Sequence, residues 1–448
     1  MARDLRIGRL RIPTRLTQRW RVRLRAQRRW WRTRRRNDPG EVLFPTVGQG
    51  MVAVHELESS PEANGPRVAI LHATAGSGHK SAAQAIAAAI AAAHRGATVR
   101  EVDTLVYASR LYRSTYAQSY NAMAARAPGL WGALYRSWAL APVNKGTAPV
   151  RLAVDRLNLR RLVRVVEREH PDAIVCTHFL PVEALSTRRG RGSLRVPLFC
   201  VITDFTAHPI WVYPHVDRYF VASDEVADEL HRHGVARDRI EVSGIPVHPR
   251  FAERIGRDEA REHFQLDRGR PVVMLMGGGS GVGPLAELAD RVARLPARPQ
   301  VVVVCGMNPR LKARIEQIAR SSRHGQEGIR ALGFTQEVDV LLEASDLLVG
   351  KAGGLTCSEA LIKGTPIVIF KPTPGQEVRN AEFLEHHGAA VHADSVTEVE
   401  RTVGHWLGDP SELDRRRQAS LALARPLAAE TVARRVLEAV PDVARRLA

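Results

Sequence analysis

Three times in this chain an apolar run breaks off into a glycine-rich turn and resumes as helix-patterned sequence, and that rhythm narrows the fold more than any other feature. RVAILHA (Arg67–Ala73) runs into TAGSGHKS and then an Ala-rich stretch to about Ala93. PVVMLM (271–276) runs into GGGSGVGPL, and Leu347, Leu348 and Val349 run into GKAGG. A buried strand followed by a turn and a helix is the repeating unit of a parallel sheet covered on both faces. Strand-like segments at Ala173–Thr177, Pro197–Ile202, Arg218–Val221, Arg239–Val242 and Gln300–Cys305 continue the alternation. SGIPVHPR (243–250), with Gly244, Pro246 and Pro249, reads as a hinge between two such sheets. A chain of 448 residues has room for both.

The segment from Gly350 to Asn380, GKAGGLTCSEALIKGTPIVIFKPTPGQEVRN, has the layout of a ligand site. Gly353 and Gly354 let the backbone come close to a ligand, and the free N–H groups of a helix starting at Leu355 or Thr356 present partial positive charge to a phosphate. Glu359 falls about one turn into that helix, where a carboxylate can accept hydrogen bonds from ribose hydroxyls. After a strand over Pro366–Phe370, a polar loop offers Gln376, Glu377 and Asn380 to a sugar. Two other turns fail familiar patterns. His79 stands between Gly78 and Lys80, so the first turn is no Walker loop, and Val282 occupies the last glycine position of a dinucleotide fingerprint. Ligands of open parallel sheets bind at the carboxyl ends of strands, which brings His79, His178, Asp204 and His208 toward one cleft.

Together these stretches resemble the GT-B glycosyltransferases that make glycolipids: the monogalactosyldiacylglycerol synthases, the processive diacylglycerol glucosyltransferases and, more distantly, the peptidoglycan N-acetylglucosaminyltransferase. The resemblance covers Arg67 to about Ala390. It implies an α/β fold of two doubly wound, parallel-sheet (Rossmann-like) domains facing across a cleft, with an acceptor domain over 51–246 and a donor domain over 247–424. A helix over 425–448 would fold back on the first domain. The activity implied is transfer of a hexose from a UDP-sugar to diacylglycerol or a similar lipid, inverting, with the UDP-sugar a substrate and no cofactor. No two Asp residues stand two apart, so the metal-holding DxD element is missing and the reaction is expected to need no metal.

The resemblance also assigns residues. Gly76, Ser77, Gly78 and His79 match the family's GxGH turn, with Ser77 in place of its usual third glycine, and TDFTAHPIW (203–211) matches its TD…HP.W pattern. Donor binding falls to Gly278, Gly279, Ser280, Gly281, Phe334 (beside the uracil), Gly353, Gly354, Thr356, Glu359, Gln376, Glu377 and Asn380. His79 and Asp204 are the candidate bases, and acceptor binding falls to His208, Trp211, Tyr112, Tyr116 and Trp131. An imidazole at a helix N-terminus has its pKa pushed down and can accept a proton; the same His79 could instead bind phosphate or cap its helix. A UDP-N-acetylglucosamine epimerase and a non-catalytic, membrane-tethered nucleotide-sugar sensor remain open beside the transferase.

Charge and aromatic placement bear on partners. Of a net charge of +19, most comes from residues 1–36, where fifteen Arg face a single Asp4 and Trp20, Trp30 and Trp31 are interleaved. Such an arm, 1–50 and disordered, suits an anionic membrane surface, where each basic residue contributes ~1 kcal/mol and Trp prefers the headgroup zone; no nucleic acid partner is expected. From Tyr107 to Trp138 lie five of the seven Tyr, with Tyr112, Tyr116 and Tyr120 four residues apart on one helical face. That stripe suits a lipid-facing surface or a core. Cys176, Cys200, Cys305 and Cys357 are far apart without a CxxC pair, as buried thiols in a reducing compartment are. No apolar run reaches the roughly 18 residues of a membrane span. The expected location is peripheral, on the cytoplasmic face of the membrane.

Overall fold

The computed structural model describes residues 6–7, 10–11, 65–74, 77–109, 112–113, 154, 157–321 and 328–440. The chain divides into Met1–Ala53 and Val54–Ala448. In the first unit, β1 (Arg6–Ile7) pairs antiparallel with β2 (Leu10–Arg11).

The second unit holds two lobes. The first runs β3 (Arg67–His72), α1 (Ser77–Ala93), β4 (Thr98–Asp103), α2 (Arg160–Glu169), β5 (Ala173–Cys176), α3 (Phe179–Gly190), β6 (Leu198–Val201), β7 (Arg218–Val221), α4 (Asp224–Arg232) and β8 (Ile240–Val242). Its six strands are all parallel, in the order β4-β3-β5-β6-β7-β8. The second lobe runs α5 (Arg257–His263), β9 (Val272–Met276), α6 (Leu285–Ala293), β10 (Gln300–Val304), α7 (Pro309–Ser321), β11 (Ile329–Leu332), α8 (Val338–Ala344), β12 (Leu347–Gly350), α9 (Gly354–Lys363), β13 (Ile367–Phe370), α10 (Gln376–His386), β14 (Ala390–Ala393), α11 (Val396–Gly408) and α12 (Pro410–Leu423). Its order, β11-β10-β9-β12-β13-β14, is also parallel throughout.

Strands buried on both faces read as unbroken apolar runs, and β5, β6, β9, β10, β12 and β13 are buried at every residue. In each sheet the winding direction reverses once, between β3 and β5 in the first lobe and between β9 and β12 in the second. The turns and helix starts that follow those four strands carry His79, His178, the 277–283 glycine turn and the 350–354 turn, so the reversal places the candidate residues at two facing crevices. A last helix, α13 (Ala428–Glu438), returns to the first lobe, where Ala429, Val432, Ala433, Val436 and Leu437 share a core with Ala83, Ile86 and Ile90 of α1. Gly244, at φ +87, lies against this return: a Cβ there would stand 2.3 Å from the Cβ of Arg425, so a glycine is required where the chain crosses itself.

Candidate active site

The second lobe supplies an anion cradle. α9 starts at Gly354 with Gly353 as its N-cap and no side-chain cap, which leaves its first N–H groups for a ligand. A Cβ on Gly353 would meet open space, whereas one on Gly354 would stand 2.0 Å from the Thr203 carbonyl oxygen of the other lobe. The first glycine keeps the approach to a ligand open and the second lets the lobes touch. Lys351, directly after β12, donates from Nζ to Thr373 Oγ1 at 3.3 Å and has no carboxylate partner among the described residues. Gly278 and Gly281 hold positive φ in the 277–283 turn, and a Cβ on Gly281 would meet the Cys305 carbonyl oxygen at 2.1 Å. The glycines thus shape a turn packed on the end of β10, with Ser280 exposed at its tip and Gly279 facing Ser77 of the first lobe. Phe334 is 59% exposed after β11, and Val282 and Met307 are exposed after β9 and β10 at the same carboxyl end of the sheet.

Glu359 sits in the second turn of α9. Burial pushes its carboxyl up to about 8, against the pull of Arg250 and with Asp339 adding to the rise. At neutral pH it is therefore an acid, able to donate as well as accept, and not the carboxylate expected from sequence.

The first lobe supplies two proton-accepting groups. His79 Nδ1 lies 2.7 Å from the Thr177 carbonyl oxygen and 3.0 Å from Thr203 Oγ1. A carbonyl only accepts, so Nδ1 carries the proton and Nε2 has the lone pair. Thr177 Oγ1 donates back to the His79 carbonyl oxygen at 2.8 Å, closing a two-bond lock. Burial lowers the His79 pKa to about 4, opposed by the Thr177 bond and aided by His72, so the ring is neutral at pH 7. Burial is the largest cause of this shift. Asp204 follows β6. Its Oδ1 accepts from Asn380 Nδ2 at 3.0 Å, while Oδ2 has no hydrogen bond among the described residues. Burial lifts its pKa to about 6, with the Asn380 bond pulling down and the Glu377 charge pushing up.

An aromatic wall stands beside His79. The His178 ring meets it edge-on at 4.6 Å, and Trp211 packs on Phe179 at 5.7 Å. His178 Nδ1 accepts from Leu180 N and His208 Nδ1 from Ile210 N, so each histidine caps the helical turn that follows it. Trp211 and His208 are buried, at 4% and 5% exposure. Trp211 stands 6.3 Å from both the His79 and the His178 rings as part of that wall. Phe179, the ring in front of Trp211, was not signalled by any motif. Tyr112 is half-buried next to Ser109, whose Oγ accepts from its N–H; Gly76, Tyr116 and Trp131 lie outside the described residues.

The donor-side helix also departs from expectation. Gln376 and Glu377 open α10 and are not in a loop, because Gly375 at φ +104 turns the chain directly into the helix. Glu377 Oε2 accepts from Thr373 N at 2.5 Å. Thr356 is half-buried in the first turn of α9. Asn380 is fully buried and bonded to both lobes, so in this conformation it does not reach an open sugar pocket.

Comparison with known proteins places this architecture. Residues 79–247 match the model of monogalactosyldiacylglycerol (MGDG) synthase, and residues 272–431 match that of the glycosyltransferase family 28 C-terminal domain. A processive diacylglycerol beta-glucosyltransferase of Bacillus pumilus is 30% identical over 283 residues, 63% of this chain and 73% of the relative. The protein of the same name in Bacillus licheniformis is 34% identical over 261 residues, 58% of this chain and 66% of that one. The chain belongs to the MGDG synthase and processive diacylglycerol glucosyltransferase family. Its fold is that of the GT-B enzymes: MurG of Acinetobacter baumannii superposes with a TM-score of 0.54 at 16% identity, over 83% of this chain and 99% of its own. A UDP-GlcNAc 2-epimerase of Neisseria meningitidis superposes nearly as well, with a TM-score of 0.53 at 11% identity, over 83% and 100%. The fold alone does not separate transferase from epimerase; the family match does. Both halves of the family signature fall on the two crevices, residues 79–247 on the His79 and Asp204 side and 272–431 on the α9 and α10 side.

Proposed function

We propose that this protein transfers a hexose from a UDP-sugar to diacylglycerol or a closely similar lipid alcohol, with inversion and without a metal. The observation that carries the reading is that family membership spans both lobes while the two lobes meet at Gly354 and Thr203, between an uncapped helix N-terminus and two neutral-pH proton acceptors.

The uridine would lie along Phe334, Val282 and Met307, its ribose hydroxyls against Glu359, and its diphosphate at the N–H groups of α9 with Lys351 beside it. Gln376 and Glu377 would take the sugar hydroxyls. The lipid hydroxyl attacks the anomeric carbon from the first-lobe side as the bond from that carbon to the diphosphate oxygen breaks. The hydroxyl proton passes to Asp204 Oδ2, and UDP leaves with the bonding pair. Asp204 is the favoured base because a pKa of about 6 lies closer to working pH than the value of about 4 at His79. His79 Nε2, its tautomer fixed, would orient the incoming hydroxyl. Charge on the leaving diphosphate would be met by fixed dipoles and one lysine, an arrangement that needs no reorganisation during the reaction.

No helix among the described residues is long and apolar enough to cross a membrane. We place the enzyme peripherally at the cytoplasmic face, drawn to anionic lipid by the fifteen Arg of residues 1–36 and by the 107–138 segment. Incubation with radiolabelled UDP-glucose, UDP-galactose and UDP-N-acetylglucosamine and diacylglycerol vesicles, followed by lipid extraction, tests the reading. Label in the organic phase with one UDP-hexose is expected. Label that stays on a UDP-sugar of changed configuration would mean an epimerase, and unchanged donor throughout would mean a sensor.

A further inference from the structure

We propose that Asn380 is a positioning residue that clamps Asp204 across the lobe boundary, tying the proton-accepting carboxylate to the helix that grips the donor. The proposal rests on Asp204 being the base.

Asn380 lies one turn after Gln376, on the side of α10 turned to the first lobe. Its side chain is 0% exposed and makes three hydrogen bonds to two other segments. Oδ1 accepts from Phe205 N at 2.8 Å, and Nδ2 donates to Asp204 Oδ1 at 3.0 Å and to the Ala352 carbonyl oxygen at 2.9 Å. Only a primary amide carries two diverging N–H groups and an acceptor on one short stem; aspartate lacks the donors and leucine has neither. Ala352 directly precedes Gly353 and Gly354, so one amide touches the base, the loop that carries it and the entry to the anion cradle. With Oδ1 of Asp204 pinned, Oδ2 is the oxygen left to face the acceptor.

The rest of α10 is held to the first lobe by other contacts, so losing the amide need not separate the lobes. Phe383 stacks on Phe205 at 4.9 Å with the planes 15° apart. Arg379 pairs with Glu229 at 3.4 Å, and Glu229 Oε2 accepts from Thr206 Oγ1 and Ala207 N. His387 pairs with Glu225 at 3.0 Å. The groups that face Asp204 are Glu377 and Asn380 from α10 and Cys357 from α9, whose thiol burial keeps neutral; along its own loop Thr203 connects it to His79. Glu377 opposes ionisation of Asp204 and Asn380 favours it, so removing the amide should raise the pH at which Asp204 ionises.

The test is the pH dependence of kcat/KM from pH 4.5 to 8.5 with UDP-hexose and diacylglycerol vesicles, for wild type, Asn380→Ala, Asn380→Asp and Asp204→Asn, with UDP affinity by calorimetry and folding by circular dichroism. The acidic limb should move up by about one pH unit in Asn380→Ala, the size expected from losing one hydrogen bond to a charged group. It should move further in Asn380→Asp, which adds a second carboxyl, with UDP affinity within about threefold in both. Asp204→Asn should have no limb in that range. Asn380→Ala and Asn380→Asp slowing the reaction by one factor at every pH, limb unmoved, would overturn the clamp while leaving the base intact. A limb that survives in Asp204→Asn would remove the base, and the clamp with it.

Discussion

Glu359→Gln should make the free protein more stable as it weakens donor binding, and the gain should grow with pH. The folded protein holds a proton on Glu359 up to about pH 8, whereas the unfolded chain releases it near the ordinary value of 4.5. Between those limits the folded state binds more protons than the unfolded one, so stability falls as pH rises. From pH 4.5 to 7 the span is about 2.5 units, a ceiling of ~3.4 kcal/mol at ~1.36 kcal/mol per unit. Because the residue is only half-buried, about 2 kcal/mol is the sounder expectation. Glutamine keeps the shape and removes the titration, so urea unfolding should find the two proteins alike at pH 4.5 and the variant about 2 kcal/mol ahead at pH 7. UDP affinity should fall by ~0.5–1.5 kcal/mol, the range for neutral hydrogen bonds. Parallel stability–pH curves for both proteins would refute the assignment of a raised pKa to Glu359.

Three further outcomes are expected. Asp204→Asn should lower kcat by about 10²- to 10⁴-fold with UDP affinity little changed, since the donor is held by the other lobe; stopped assays with calorimetry separate the two. Gly354→Ala puts a methyl 2.0 Å from the Thr203 carbonyl oxygen, so the lobes must part there, and kcat/KM should drop by about 10-fold or more while Gly353→Ala, which meets open space, keeps the lobe contact. Deleting residues 1–36 should reduce sedimentation with anionic vesicles at low salt and leave UDP affinity intact.

Most strands were legible because a strand covered on both faces has no polar positions to confuse the pattern; β4, β11 and β14, each with half-buried positions, were not read as strands. Arg218–Val221 was read to the residue, and the Ala-rich helix ended where expected, at Ala93. The chemistry-bearing turns were legible for a related reason: glycine at a strand exit has few structural excuses. The pairing of Asp204 with Asn380 was not legible, because these residues are 176 positions apart and meet only when two separately wound lobes close. The second role of Gly354 was not legible: its missing Cβ also lets the lobes meet at the Thr203 carbonyl oxygen. Gln376 and Glu377 were read as loop because PTPG looks like a turn, and positive φ at Gly375 instead launches a helix. Side-chain acidity was the least legible of all: Glu359 and Asp204 owe their shifts to burial that exists only in the folded protein.

The most direct test of the account is the acidic limb of kcat/KM for the wild-type enzyme with UDP-hexose and diacylglycerol. A carboxylate base must be ionised to work, so the rate should fall as pH drops through about 6, the value burial gives Asp204. A limb near 4 would hand the role to His79, and a rate flat from pH 5 to 8 would contradict Asp204 as the base.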